Sequence, residues 1–223
     1  MYFLFTESNP KTQKGEALGY YTVVLHMIPS TYSGHQVCAM ARGCEKDCLA
    51  FSGRGAMDKT IMARMRRTKM FFEDRRRFMT MMTFDIQTAQ EKAAKKGMTL
   101  VVRPNGTSDI PWEKIRADGS RNIFEKFSEV QFMDYTKYPK RTVPENYHLT
   151  FSLDGTNDDV GMEWLRSGRN VSLIYDDEMP LMWGGYATVD GDEHDLRFLD
   201  PSPRIVALRR KATRLPSYWK EAA

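Results

Sequence analysis

No apolar run among the 223 residues approaches the roughly 20 that a bilayer-spanning helix requires, so a membrane partner is not expected. The apolar start, Met1 to Phe5, is too short for a secretory leader and no basic region precedes it, which points to a cytoplasmic setting. Internal repeats and low-complexity tracts are absent, and with them the repeat architectures. Cysteine is scarce: there are three, an odd number. All fall between positions 38 and 48, which excludes a disulfide framework and favours metal or catalytic chemistry in a reducing compartment. Glycine and proline are missing from 58 to 96, which excludes loops there. The formal charge of +4 is too small to argue by itself for nucleic acid.

The remaining composition, 41% apolar and 28% charged, is that of a globular protein. It is read as a single domain over 1–223. Six apolar runs carry strand character: 21–28 (YTVVLHMI), 99–103 (TLVVR), 130–133 (VQFM), 147–153 (YHLTFSL), 170–174 (NVSLI) and 204–208 (RIVAL). Several are nearly continuous and β-branched, as in parallel strands buried on both faces. Between the first two, Ile61, Met65, Phe72, Phe78, Met82, Ile86, Ala89 and Ala93 recur at helical steps. Asp58 is the expected N-cap, and Lys95, Lys96 and Gly97 mark the end. A single helix of that length would be about 58 Å long. That exceeds a compact domain, so a break is expected between 72 and 77.

Further on, 112–127 reads as one or two helical turns. Residues 158–167 read as a helix closed by Gly168, and Asp190-Gly191 as a hairpin turn. The alternation predicts an α/β fold with a mainly parallel six-stranded sheet, either open or a partial barrel.

The cysteines form C-x5-C-x3-C: Cys38, Cys44 and Cys48, just after the first strand. Gly43 permits a tight wrap, and Arg42 and Lys46 favour thiolates. Three thiolates on one loop suit a metal centre. A [4Fe-4S] cluster with one iron left to an outside ligand needs only three cysteines. Structural zinc needs four protein ligands, with His35 as the fourth. The plain alternative is three buried, reduced thiols.

The segments 38–55 (CAMARGCEKDCLAFSGRG), 103–113 (RPNGTSDIPWE), 131–137 (QFMDYTK), 147–152 (YHLTFS) and 190–201 (DGDEHDLRFLDP) resemble a bacteriophage family labelled gene product eighty-eight. The resemblance implies a phage origin and an infected host cytoplasm. The β/α order with a three-cysteine loop after the first strand also resembles the radical S-adenosylmethionine superfamily. Its usual spacing, C-x3-C-x2-C, differs from this one. That second resemblance implies a partial (β/α)6 barrel, a [4Fe-4S] cluster and possible binding of S-adenosylmethionine. It places Asn105, Ser108 and Asp109 at the end of the second strand near the cofactor, although Asn-Gly-Thr-Ser-Asp also reads as a turn before a capped helix.

Strand ends host ligands in parallel α/β folds, which adds Asp134, Tyr135, Lys137, Ser152, Asp154, Tyr175 and Asp176. Asp190, Asp192, Glu193, His194 and Asp195 read as a solvated hairpin tip, with a divalent-metal site as the alternative. His26 and His148 read as core or pocket residues, and Met79, Met81 and Met82 as core filling. Lys59, Arg64, Arg66, Arg67, Lys69 and Arg75 to Arg77, with the run Arg204, Arg209, Arg210, Lys211 and Arg214, form a basic face that suits phosphates. Two functions follow: a cluster-binding protein resembling a short radical S-adenosylmethionine enzyme, or a zinc-binding accessory protein that associates with nucleic acid.

Overall fold

All six apolar runs become strands of one sheet. The computed structural model describes residues 3–7, 10–42, 44 and 48–213. Its elements begin β1 (Phe5–Thr6), α1 (Pro10–Glu16), β2 (Tyr20–Leu25), α2 (Ser30–Ser33), α3 (Asp58–Glu73), α4 (Arg75–Lys95) and β3 (Thr99–Arg103). They continue β4 (Arg116–Asp118), β5 (Arg121–Asn122), α5 (Ile123–Lys126), β6 (Gln131–Thr136), β7 (Tyr147–Ser152), α6 (Asp158–Arg166), β8 (Val171–Tyr175), β9 (Met182–Trp183), β10 (Tyr186–Asp190) and β11 (Ile205–Arg209).

The main sheet has nine strands, not six, in the order β1-β2-β3-β6-β7-β8-β11-β10-β9. Pairing is parallel from β2 through β10. The outermost strands, β1 and β9, are antiparallel. They do not pair with each other, so the sheet is open. β4 and β5 make a separate hairpin. The expected turn at Asp190-Gly191 is displaced: β9 and β10 turn through Gly184 and Gly185, both with positive φ, and Asp190 ends β10. Two successive left-handed residues suit a tight hairpin, and Gly184 and Gly185 adopt them where Asp190 and Gly191 do not.

Handedness explains how the sheet is covered. From β2 to β8 the chain steps across the sheet in one direction, and right-handed crossovers put every connecting helix on one face. There Phe78, Met82, Ile86 and Ala89 of α4 pack on Val23, Leu25 and Val102. Phe124 of α5 stacks on Tyr147, and Trp164 of α6 on Phe151. β10 then lies beyond β11, so the connection between them steps backward. The same handedness sends it over the opposite face, where Leu196 packs on Val101 and Met133. Residues 191–200 are thus a strap over the face that α4, α5 and α6 leave bare, and at its edge Lys14 of α1 donates to the Asp192 carbonyl at 2.8 Å.

The long helical stretch breaks at Asp74 (φ −139°), whose carboxylate accepts the Arg77 N–H at 3.1 Å. The break falls inside the expected window and lets two shorter helices cover the sheet. Met57, not Asp58, occupies the N-cap of α3, and Asp58 sits in its first turn. Gly97 takes the left-handed position (φ +66°) after α4. On α4, the fully buried Asp85 carboxylate accepts the N–H groups of Phe3, Leu4 and Phe5, which fixes the N-terminal strand.

Candidate metal centre and the surrounding strand ends

The cysteine loop leaves the carboxyl end of β2. Cys38 packs against the main core, Cys48 against a small cluster of Ile28, Phe51 and Ile61, and Cys44 is exposed. Cys48 Sγ accepts the Ala50 N–H at 3.5 Å. Burial pushes the Cys38 thiol up, and Cys48, Asp109 and Cys44 push it further, while the Asp109 backbone N–H acts the other way. Cys38 is therefore near enough to Cys44 and Cys48 to sense their charge. Among the described residues, however, no three His, Cys, Asp or Glu side chains stand ready around one metal position. Gly43 and Lys46 lie outside the described residues.

His35 packs against α3. Its ring stacks on Phe72 at 4.5 Å and its Nε2 lies 3.6 Å from Glu73. An aromatic ring and a carboxylate of α3 are thus its partners. Arg64, which reads from sequence as part of a solvated basic face, is buried instead. It donates to the Ala50 carbonyl, and its Nε has no partner among the described residues. Burial first, then Arg67, lowers its pKa to about 10, and nearby Cys48 opposes this.

The loop after β3 is stitched to the cysteine loop. Asp109 N–H donates to the Val37 carbonyl at 2.8 Å, and Thr107 Oγ1 donates to the Met27 carbonyl at 2.6 Å. Gly106 lies so close to Val24 and His26 that a Cβ would meet them at 2.5 and 2.7 Å. Asn105 organises the turn: its Oδ1 accepts from Ser108, the Ile110 N–H and Trp112. Its backbone N–H donates to Asp134 at 2.9 Å. Asp134 also accepts the Tyr147 hydroxyl at 2.7 Å. Burial raises Asp134 to about 7, against the pull of Arg103 and the Tyr147 hydrogen bond.

Arg141 closes this network. It forks onto Glu113 at 3.1 and 2.6 Å and reaches Asp109 at 3.4 Å. Asp109 also accepts the Lys137 N–H, and the Ser152 carbonyl takes Asn157 and Lys137. Asn105, Ser108, Asp109 and Asp134 are thus brought together, with their polar atoms turned onto one another. Ser152 stands apart, on β7. Tyr175 and Asp176 lie at the end of β8, where Asp176 pairs with Arg210 at 2.6 Å. A cleft of about 190 Å³ opens beside Cys38, lined by Val37, Ala39, Phe72, Asp109 and Tyr138. That is below the roughly 300–1,000 Å³ of sites for drug-sized ligands, so it suits a small ligand.

The acidic segment 190–195 is not a solvated tip throughout. Asp195 is buried and bonded to Arg103 at 2.7 Å, and Arg197 beside it is 1% exposed. Sequence reasoning passed over Arg141, Arg197 and Tyr147. A lone arginine in an otherwise apolar or turn-rich segment was the available signal.

The model of a protein family described as Gene product 88 matches residues 3–221. No curated protein matches, and no solved structure matches, so no relative carries the resemblance to S-adenosylmethionine enzymes. Among the described residues, no helix is long and apolar enough to cross a membrane.

Proposed function

We propose, for a chain that belongs to the Gene product 88 family, that Cys38, Cys44 and Cys48 hold one metal centre, a [4Fe-4S] cluster in preference to zinc. The observation that carries this is Arg64. A buried guanidinium beside Cys48, with no carboxylate partner among the described residues, is costly unless a negative group neutralises it. Thiolates gathered on a metal supply that charge. Zinc would need a fourth protein ligand, and His35 is engaged with Phe72 and Glu73. A cluster with one iron open to an outside ligand needs none. Of the seven parallel strands of this open sheet, β2, β3, β6, β7, β8 and β11 correspond in this reading to the six of a partial (β/α)6 barrel, with β10 added beyond β11. When bound, such a centre supplies electron transfer or a Lewis-acidic iron. S-adenosylmethionine is a candidate outside ligand only if the cleft beside Cys38 widens.

The test is metal and sulfide content of protein purified without oxygen. Near-equal iron and sulfide are expected in the unmutated chain and in His35→Ala, with loss of both in Cys48→Ala. Stoichiometric zinc without sulfide, lost in His35→Ala, reverses the assignment.

One observation favours a second reading, nucleic-acid binding. Ser52 bridges to Thr213, which sets the basic C-terminal run beside the turns that precede α3. Lys59, Arg66 and Lys69 are exposed on α3, and Arg76 and Arg77 on the start of α4, whereas Arg64 is buried and cannot contribute. Reversing Arg76 and Arg77 to Glu is expected to abolish a salt-sensitive shift of duplex DNA or RNA in a gel series. Unchanged binding across the salt series removes this partner.

A further inference from the structure

The strap covers an unusual surface. On β2, β3, β6 and β7, alternate residues face it: Thr22, Arg103, Tyr135, His148 and Thr150, with His26 just past β2. The strap brings Arg197 and Asp200. Each of these eight residues has a buried polar side-chain atom without a hydrogen-bond partner. Arg197 has two such atoms, Nε and Nη1, and its Nε lies 3.3 Å from Asp200 without hydrogen-bond alignment. Native interiors leave few such atoms unpaired, so their concentration on one face calls for an occupant.

The free valences say what kind. Arg103 Nε lies 3.8 Å from Asp134 and Arg197 Nε 3.3 Å from Asp200, ion pairs without a hydrogen bond, and with Arg197 Nη1 these nitrogens can only donate. Asp200 Oδ2 offers an acceptor, and the hydroxyls and neutral imidazoles can act either way. The excess of donors calls for an acceptor-rich guest. We infer that the space between this face and the strap is a binding site for a small oxyanion group, a carboxylate or a phosphoryl, held by Arg103, Arg197, Tyr135 and Thr150.

The electrostatics agree. Burial lowers His26 to about 3, and Arg64, Arg103 and Arg67 push it down further, so the end of β2 lies in a positive field. Burial and then Arg197 lower His148 to about 4. Both imidazoles stay neutral and add no cost beside the guanidiniums. Asp195 and Asp200 offset part of the positive charge, which favours a guest of low charge over a polyanion. His26, Tyr135 and His148 keep partial solvent exposure, so the site is not sealed.

Arg103, Arg197, Tyr135 and Thr150 are none of the proposed metal ligands, so anion binding and metal content are read separately. The test titrates the full chain with sodium phosphate and with sodium acetate, each against sodium chloride at equal ionic strength, by calorimetry and thermal unfolding. Saturable binding and stabilisation by one of the two is expected, and which one identifies the group as phosphoryl or carboxylate. Tyr135→Phe and Thr150→Val, close in shape to the originals, should each weaken binding about tenfold without changing metal content. Stabilisation no greater than that by chloride means ordered water only and overturns the inference. Binding unchanged in both variants means an adventitious ion only and overturns it equally.

Discussion

Asp85→Ala is expected to cost about 3–5 kcal/mol of stability and to release the first strand. The Asp85 carboxylate is fully buried and accepts the N–H groups of Phe3 at 3.0 Å, Leu4 at 2.7 Å and Phe5 at 3.2 Å. Removing it leaves those donors unsatisfied, and Leu4 and Phe5 are themselves core residues. It also takes the counter-charge from Arg67, which burial destabilises and Asp85 supports. Against a typical stability of about 5–15 kcal/mol this is a large fraction. Urea unfolding gives the magnitude, and hydrogen exchange at Leu4 and Phe5 gives the location. An unchanged midpoint with protected amides would show that the edge strand is held by its pairing with β2 alone.

Arg141→Met is expected to destabilise by a comparable amount, about 3–5 kcal/mol, and to lower metal content as well. The Arg141 side chain is 2% exposed and stands between Glu113 and Asp109. Without it the largely buried Glu113 loses its ion-pair partner and Asp109 is left to Lys137 and Thr136. Burial already raises Asp109, and Arg141 is among the groups that hold it down. Because Asp109 N–H is bonded to the Val37 carbonyl, loosening this loop loosens the approach to Cys38. Adding Glu113→Gln should recover part of the lost stability, since it removes one of the stranded charges. A double-mutant cycle measures that coupling. Additive losses, or full metal loading in Arg141→Met, would separate the network from the cysteine loop.

The strands and the helix break were legible because they rest on apolar pattern and on length. Residues 99–103 become β3 without adjustment, and the other five runs shift by a few residues. The break at Asp74 followed from the mismatch between a long rod and a small domain. The flanking strands were not legible: β1 and β9 have two residues each, too few for any period to show. The site was half legible. Three cysteines on one loop announce themselves. Arg64, Asp195 and Arg197 do not, because a charge buried against a partner and a charge in water have the same letter in the sequence. What distinguishes Asp195 and Arg197 is the strap's crossing of the sheet, which depends on strand order and not on local pattern. His35 shows a related limit: its nearness in sequence to Cys38 said nothing about Phe72, which reaches it from the far end of α3.

The backward step from β10 to β11 also sets an order of assembly. β11 lies between β8 and β10, with ladder contacts on both sides. Until it arrives, the β9–β10 hairpin has no neighbour in the sheet, and β8 presents an open edge. Two-stranded hairpins are marginal alone in water, so this part of the chain stays uncommitted while earlier β/α units form. Arg103 then receives its Asp195 partner only when the strap is drawn across. A nascent chain leaving a ribosome would therefore carry most of its sheet early, yet close the polar face last, as residues 205–209 slot in and lock the strap on both sides.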